Sequence, residues 1–133
     1  MARPTSSLNE IRIPQGTIRY REMGTGEPIV LVHGLLTNGE LWREVAPRIA
    51  ADFRVLVPDW PLGSHEIPLD AGADLSPPGL AQIIADFLAA LELEGVTLVG
   101  NDTGGALAGA GAHSYSAGDA TEGSEEAARF GED

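Results

Sequence analysis

The sequence predicts an α/β fold in which a parallel sheet is built from strands that alternate with helices. Three short runs of apolar, mostly branched residues are typical of strands that are buried on both faces. They span residues 29–32, 55–57 and 96–99. A helical pattern separates each run from the next, and this alternation favours parallel pairing with right-handed crossovers.

A β-hairpin is predicted before the first run, over residues 10–22. Ile11, Ile13, Ile18 and Tyr20 alternate with polar residues around a Pro-Gln-Gly turn. Such alternation indicates two strands with one buried face and one face in water.

The first helix is predicted near residues 39–51. Thr37 and Glu40 have the spacing of a capping box, which indicates a start near residue 38. Leu41, Val45 and Ile49 fall on one face of this helix, and we expect that face to pack against the core.

The second helix is predicted over residues 77–92. Ser76 is expected to cap it, with Pro77 at its first position. Gly95 should end it. Its apolar face is formed by residues at helical spacing, namely Leu80, Ile83, Ile84, Phe87, Leu88 and Leu91.

Composition excludes several classes of function. The 133 residues carry 8 basic and 20 acidic side chains, so the net charge is −12. That charge argues against nucleic acid or an anionic membrane surface as partner. With no cysteine, disulfides, cysteine metal sites and thiol catalysis are excluded. No apolar run is long enough to span a membrane and no secretory signal is evident. We therefore expect a cytoplasmic protein without metal or cofactor.

The stretch after the last run has the spacing Gly-x-Asp-x-Gly, with Asp102 at its centre and Gly100 and Gly104 beside it. This spacing fits a nucleophile elbow, the sharp turn that exposes a reactive side chain between a strand and a helix. The glycines allow the chain to reverse within a few residues. Serine is usual at the centre, but a carboxylate can also act as a covalent nucleophile.

Together with two earlier motifs, this spacing makes the chain similar to a known family. Residues 10 to about 107 resemble the N-terminal half of an α/β-hydrolase. The motifs follow the third, fourth and fifth strands in the expected order: His33-Gly34, Pro58-Asp59 and Gly100-Asn101-Asp102-Thr103-Gly104. The resemblance implies a sheet in which the third strand lies between the fourth and the fifth.

The resemblance also implies roles for individual residues. Asp102 takes the nucleophile position, and the backbone N–H groups of Leu35 and Thr103 take the oxyanion-hole positions. With an aspartate at this position, the sequence resembles haloalkane dehalogenases and epoxide hydrolases. In those enzymes the carboxylate forms an ester with the substrate, and a water activated by a histidine then hydrolyses the ester. Thr103 stands where dehalogenases usually carry an aromatic residue that holds the halide. The substrate therefore stays open between an ester, an epoxide and an alkyl halide.

The family also needs a later acid, a catalytic histidine and further strands, and we expect this chain to lack them. Residues 108–133 hold six acidic groups against Arg129 and five glycines. They show no strand or helix period, so we expect a disordered tail after a partial domain at residues 10–107. The sequence thus predicts a truncated hydrolase sheet without turnover.

No histidine present fits the catalytic role. His33 belongs to the oxyanion motif and is expected to be structural, and His65 lies in a proline-bounded loop. His113 follows Asp102 by 11 residues, which is about 16 Å along a helix and beyond hydrogen-bond reach. A carboxylate pair of Asp59 and Asp102 is conceivable, but the resemblance makes Asp59 structural.

Two other classes of function stay open. The chain could be a non-enzymatic interaction module, or a half-protein whose partner supplies the missing strands and histidine. It could also bind a dinucleotide, because Gly100, Gly104 and Gly105 follow a strand. That class is disfavoured, since such a loop normally belongs to the first βαβ unit, with an acidic residue about 20 positions later.

Overall fold

A computed structural model of the protein describes residues 6–34, 36–101 and 103–116. The strands of its single described sheet are β1 (Ser6–Ile13), β2 (Gly16–Met23), β3 (Pro28–Val32), β4 (Arg54–Pro58) and β5 (Thr97–Gly100). The helices are a 3₁₀ helix (Gly39–Trp42), α1 (Ala46–Ile49), α2 (Pro77–Ala90) and α3 (Thr103–Ser116). None of these helices combines the length and hydropathy needed to cross a membrane.

The strands are ordered β1-β2-β4-β3-β5. β3 is parallel to both β4 and β5, so the expected place of the third strand between the fourth and fifth is confirmed. β2 pairs with β1 and with β4, in both cases antiparallel. The hairpin is longer than the sequence indicated, because its pairing continues outward to Ser6 and Met23. The α/β fold is therefore confirmed.

One face of the sheet is covered by α2 and α3 and contains the larger core. Phe87 of α2 is fully buried and contacts the rings of Tyr20 and Trp60 edge-on, at centroid distances of 5.4 and 5.1 Å. The predicted cap of α2 is present, since the Ser76 hydroxyl accepts a hydrogen bond from Gly79 N–H. This face holds α2 against the strands that carry the candidate site.

α2 ends two residues earlier than predicted and does not end at Gly95. Its last turn closes with Glu92 in the left-handed conformation (φ 53°). Leu93 N–H donates to Leu88 O, and Glu92 N–H donates to Ala89 O. This pair of bonds is a Schellman motif, in which buried Leu93 packs back toward the helix.

The opposite face is covered by the 3₁₀ helix and α1, where one continuous helix was predicted. Pro47 cannot continue a helix from the preceding turn, because it lacks an N–H and its ring crowds the carbonyl four residues earlier. Asn38, not Thr37, caps the 3₁₀ helix by accepting from Glu40 N–H. The expected core face was also wrong, since Leu41 and Val45 are 41% and 45% exposed. The buried residues are Trp42, Ala46 and Ala50.

α3 continues to Ser116, so the predicted start of disorder at residue 108 is wrong for residues 108–116. Small residues on this helix let it approach α2 closely. A Cβ added at Gly111 would lie 2.8 Å from Cγ2 of Ile84, and Ala108 and Ala112 are buried. The tertiary contact therefore outweighs the poor helix propensity of glycine. Residues 117–133 lie outside the described residues, and with them the rest of the predicted tail.

Candidate functional site

The candidate site lies at the edge of the sheet where β3, β4 and β5 end. Because the three strands are parallel, their carboxyl ends meet there. The residues that follow them are His33 after β3, Asp59 after β4 and Asn101 after β5. All three sequence motifs are thus brought to one edge, although Leu35 and Asp102 themselves lie outside the described residues.

The turn between β5 and α3 is packed against the end of β3. Asn101 N–H donates to Val32 O at 3.0 Å, and Gly104 N–H donates to Asn101 O at 2.9 Å. A Cβ at Gly104 would lie 2.2 Å from Val32 O, and one at Gly100 would lie 2.3 Å from Gly104 O. Neither position can hold a side chain without movement of the backbone, so the two glycines permit the close approach of strand and helix.

His33 is a fully buried structural residue that links the ends of β3 and β4. Its Nε2 accepts a hydrogen bond from Trp60 N–H at 2.9 Å, and its Nδ1 lies 2.9 Å from Gly34 O. The first bond requires an unprotonated Nε2, so Nδ1 carries the proton and donates it to the carbonyl. Burial lowers the pKa of His33, which favours this neutral form. Both ring nitrogens are therefore engaged and neither is available as a base.

Asp59 also holds the backbone together. Its Oδ1 accepts from Gly39 N–H at 2.7 Å, at the start of the 3₁₀ helix. Its own N–H donates to Arg19 O at 2.9 Å. The Asp59 carboxylate thus orders the loop after β3, as the resemblance implied.

Leu36 is a residue of this edge that sequence reasoning missed. Its φ is 63°, a left-handed conformation that is uncommon for leucine. Leu36 N–H donates to Leu62 O at 2.8 Å, and Leu36 O accepts from Ser64 Oγ at 2.8 Å. The side chain is nevertheless 70% exposed. No sequence signal marks a left-handed leucine, because its conformation is imposed by these two long-range bonds.

The described charges near the site are of both signs. Within the described ranges, no group of three or more His, Asp or Glu residues has metal-binding geometry. A groove of about 450 Å³ reaches Asp59 from the face that carries the 3₁₀ helix. It is lined by Arg19, Arg21 and Arg43 and by Glu40, Asp59 and Glu66. These opposite charges balance, so the groove favours neither an anion nor a cation.

Strand order, crossovers and the glycine-packed turn after β5 together define a hydrolase-type α/β sheet. The family model described as alpha/beta hydrolase fold matches residues 27–118. The chain belongs to the α/β-hydrolase family.

Relatives of this chain match it over part of their own length. An uncharacterized protein of Mycobacterium tuberculosis is 36% identical over 89 residues, which is 67% of this chain and 26% of that protein. Haloalkane dehalogenase 2 of Mycobacterium bovis is 33% identical over 94 residues, covering 70% and 32%. The structure of an epoxide hydrolase from an endophytic Streptomyces superposes with a TM-score of 0.72 at 28% identity, covering 81% and 33%. The chain thus spans about a quarter to a third of these proteins.

Proposed function

We propose that this chain carries the nucleophile half of a hydrolase site, with Asp102 as the attacking carboxylate. The supporting observation is the turn after β5, where Gly104 lies so close to Val32 O that a Cβ would be 2.2 Å away. A turn this tight between a buried strand and a helix is the setting in which a nucleophile is held exposed. The substrate is a small ester, epoxide or alkyl halide, in keeping with the dehalogenase and epoxide hydrolase among the relatives.

In this proposal the backbone N–H groups of Thr103 and Leu35 are the hydrogen-bond donors of the oxyanion hole. Thr103 is the first residue of α3, and N–H groups of a first helical turn have no partner within the helix. Gly34 O accepts from His33 Nδ1–H and from Thr37 Oγ1 at 2.8 Å, so the loop after β3 is held in place up to residue 34. The role of Leu35 N–H rests on the resemblance, in which the residue after His33-Gly34 donates to the developing negative charge.

The 133-residue chain alone is proposed to stop at the ester. An oxygen of Asp102 bonds to the substrate carbon while the bond from that carbon to the leaving group breaks. Hydrolysis of the ester then needs a base that activates water. His33 has both nitrogens engaged, so it does not serve as that base. The ester is therefore expected to accumulate.

Intact mass spectrometry after incubation with propylene oxide tests this proposal. One added epoxide per chain is expected, mapped to Asp102 and absent in Asp102→Asn. Asp52→Asn removes an exposed carboxylate elsewhere and should leave labelling unchanged. Equal labelling of many carboxylates, or repeated turnover by the isolated chain that Asp102→Asn abolishes, would refute the proposed single, trapped ester.

The alternative is a half-protein that is completed by a partner, and the position of β5 favours it. Among the described strands, β5 lies at the edge of the sheet and pairs only with β3. Asn101 N–H points toward β3. Because successive residues of a strand direct their N–H groups to opposite sides, those of Leu98 and Gly100 point to the open edge. Such an edge can accept another strand.

Complementation with the remaining two thirds of an epoxide hydrolase distinguishes the two proposals. If the chain is a half-protein, a mixture with the C-terminal part of the Streptomyces enzyme should turn over an epoxide repeatedly, while neither part does so alone. Leu98→Pro would remove one outward N–H and should abolish the gain. Single labelling of Asp102 without any gain on mixing would leave only the first proposal.

A further inference from the structure

The backbone of Leu36 is held in a strained conformation by two bonds to the loop after β4. Leu62 O accepts its N–H and Ser64 Oγ donates to its carbonyl, both at 2.8 Å. A left-handed conformation is unfavourable for a residue with a Cβ, and φ here is 63°. Strained residues that persist in this way concentrate at ligand sites.

The strain directs an apolar side chain into solvent at the carboxyl edge of the sheet. Leu36 is 70% exposed, which is the largest exposure among the large apolar residues described as exposed. Its Cδ2 lies over Gly63, where an added Cβ would come within 2.6 Å. A side chain at residue 63 would push the leucine away, so the glycine preserves this arrangement.

Leu36 also has a defined position relative to the turn that follows β5. It follows β3, which lies between β4 and β5. The loop bonded to Leu36 follows β4, and the turn packed on Val32 follows β5. A substrate above the end of β3 would therefore have the turn on one side and Leu36 with its loop on the other.

We infer that Leu36 is a specificity-determining residue that forms an apolar wall of the substrate site. It selects uncharged substrates with a bulky apolar group next to the reacting carbon. This inference rests on the proposed function of Asp102. The surroundings agree with it, because Leu62, whose carbonyl accepts the Leu36 N–H, is buried and apolar.

The test compares the rates at which two epoxides label Asp102. In each reaction a carboxylate oxygen bonds to a ring carbon, the bond from that carbon to the ring oxygen breaks, and the oxygen takes a proton from water. The product gains the whole mass of the epoxide. Styrene oxide, which carries a phenyl group, should label the wild-type chain faster than propylene oxide, which carries a methyl group.

Leu36→Ala should lower this preference for styrene oxide by about tenfold or more, in the range that small changes in apolar pockets produce. Leu36→Met keeps a large apolar side chain and should retain the preference. Leu75→Ala is a matched control, because Leu75 is also exposed (47%) but lies in the loop before α2. Circular dichroism of each variant checks that the fold is unchanged.

The outcomes separate this inference from the function on which it rests. Labelling that requires Asp102 but has the same epoxide preference in wild type and Leu36→Ala refutes the role of Leu36 and leaves the nucleophile in place. An equal fall in Leu75→Ala also refutes it. Absence of labelling by either epoxide refutes the proposed nucleophile and, with it, the specificity role.

Discussion

Replacing Gly104 with alanine should destabilise the chain, although alanine is the better helix former. Within a helix this change ordinarily stabilises by about 1 kcal/mol. Here the new Cβ would lie 2.2 Å from Val32 O and 2.7 Å from His33 O. Both oxygens belong to the backbone at the end of β3, so they cannot rotate away. The first turn of α3 would have to move by about 1 Å to restore a normal contact distance.

That movement opposes two hydrogen bonds of the turn, from Asn101 N–H to Val32 O and from Gly104 N–H to Asn101 O. Loss of one such bond costs about 0.5–1.5 kcal/mol, and overpacking costs about 1–3 kcal/mol. After the gain in helix propensity is subtracted, the free energy of unfolding should fall by about 0.5–3.5 kcal/mol.

Urea denaturation followed by far-ultraviolet circular dichroism measures this difference by linear extrapolation. Ala106→Gly is the matched control, because Ala106 is exposed on the same helix and reports propensity alone. It should lower the free energy of unfolding by about 1 kcal/mol. A Gly104→Ala protein as stable as the wild type, or more stable, would refute the packing argument for the turn.

Three further predictions concern other parts of the fold. Gly111→Ala should lower the free energy of unfolding by about 1 kcal/mol, and Ile84→Ala, which removes the Cγ2 that the new Cβ would meet at 2.8 Å, should cost less in the Gly111→Ala background than in the wild type, whereas additive losses in urea denaturation would contradict the contact between α2 and α3. Glu92→Gly should stabilise by about 1 kcal/mol, because glycine adopts the left-handed conformation without strain; a thermal melt no higher than that of Glu94→Gly would argue against it. Burial lowers the pKa of His33 below 6.5, so the unfolded chain binds a proton first and stability is lost as pH falls below about 6.5. An NMR titration midpoint for His33 at or above 6.5 would contradict this.

The sequence was sufficient to predict the strands and α2, because the patterns that indicate them are local in the sequence. The buried strands appear as unbroken apolar runs, and α2 has both a Ser-Pro start and a sustained helical period. α3 could not be delimited in the same way. Gly109 and Gly111 weaken its helix propensity, and its stability comes from packing on Ile84, which is distant in the sequence. The break before α1 follows from Pro47, a signal that was present but outweighed by the helical spacing of Leu41, Val45 and Ile49.

The candidate site was predictable as three motifs but not as a set of contacts. Each of the three motifs, His33-Gly34, Asp59 and Gly100–Gly104, follows a different strand. Because those strands are parallel, the motifs lie at the same edge of the sheet. The bonds from Trp60 N–H to His33 and from Gly39 N–H to Asp59 are long-range. No spacing rule identifies them. The strained conformation of Leu36 likewise depends on Leu62 and Ser64, so it is visible only in the folded chain.

The two tryptophans lie on opposite faces of the sheet, and this gives the protein two natural fluorescent reporters. Trp60 belongs to the core under α2 and donates its indole N–H to Leu31 O at 3.0 Å. Trp42 belongs to the smaller core, and its indole N–H has no partner among the described residues. Trp42→Phe and Trp60→Phe each leave one reporter, so the emission of each variant follows one face alone. A red shift that begins earlier when only Trp42 remains would show that the face covered by the short helices opens first.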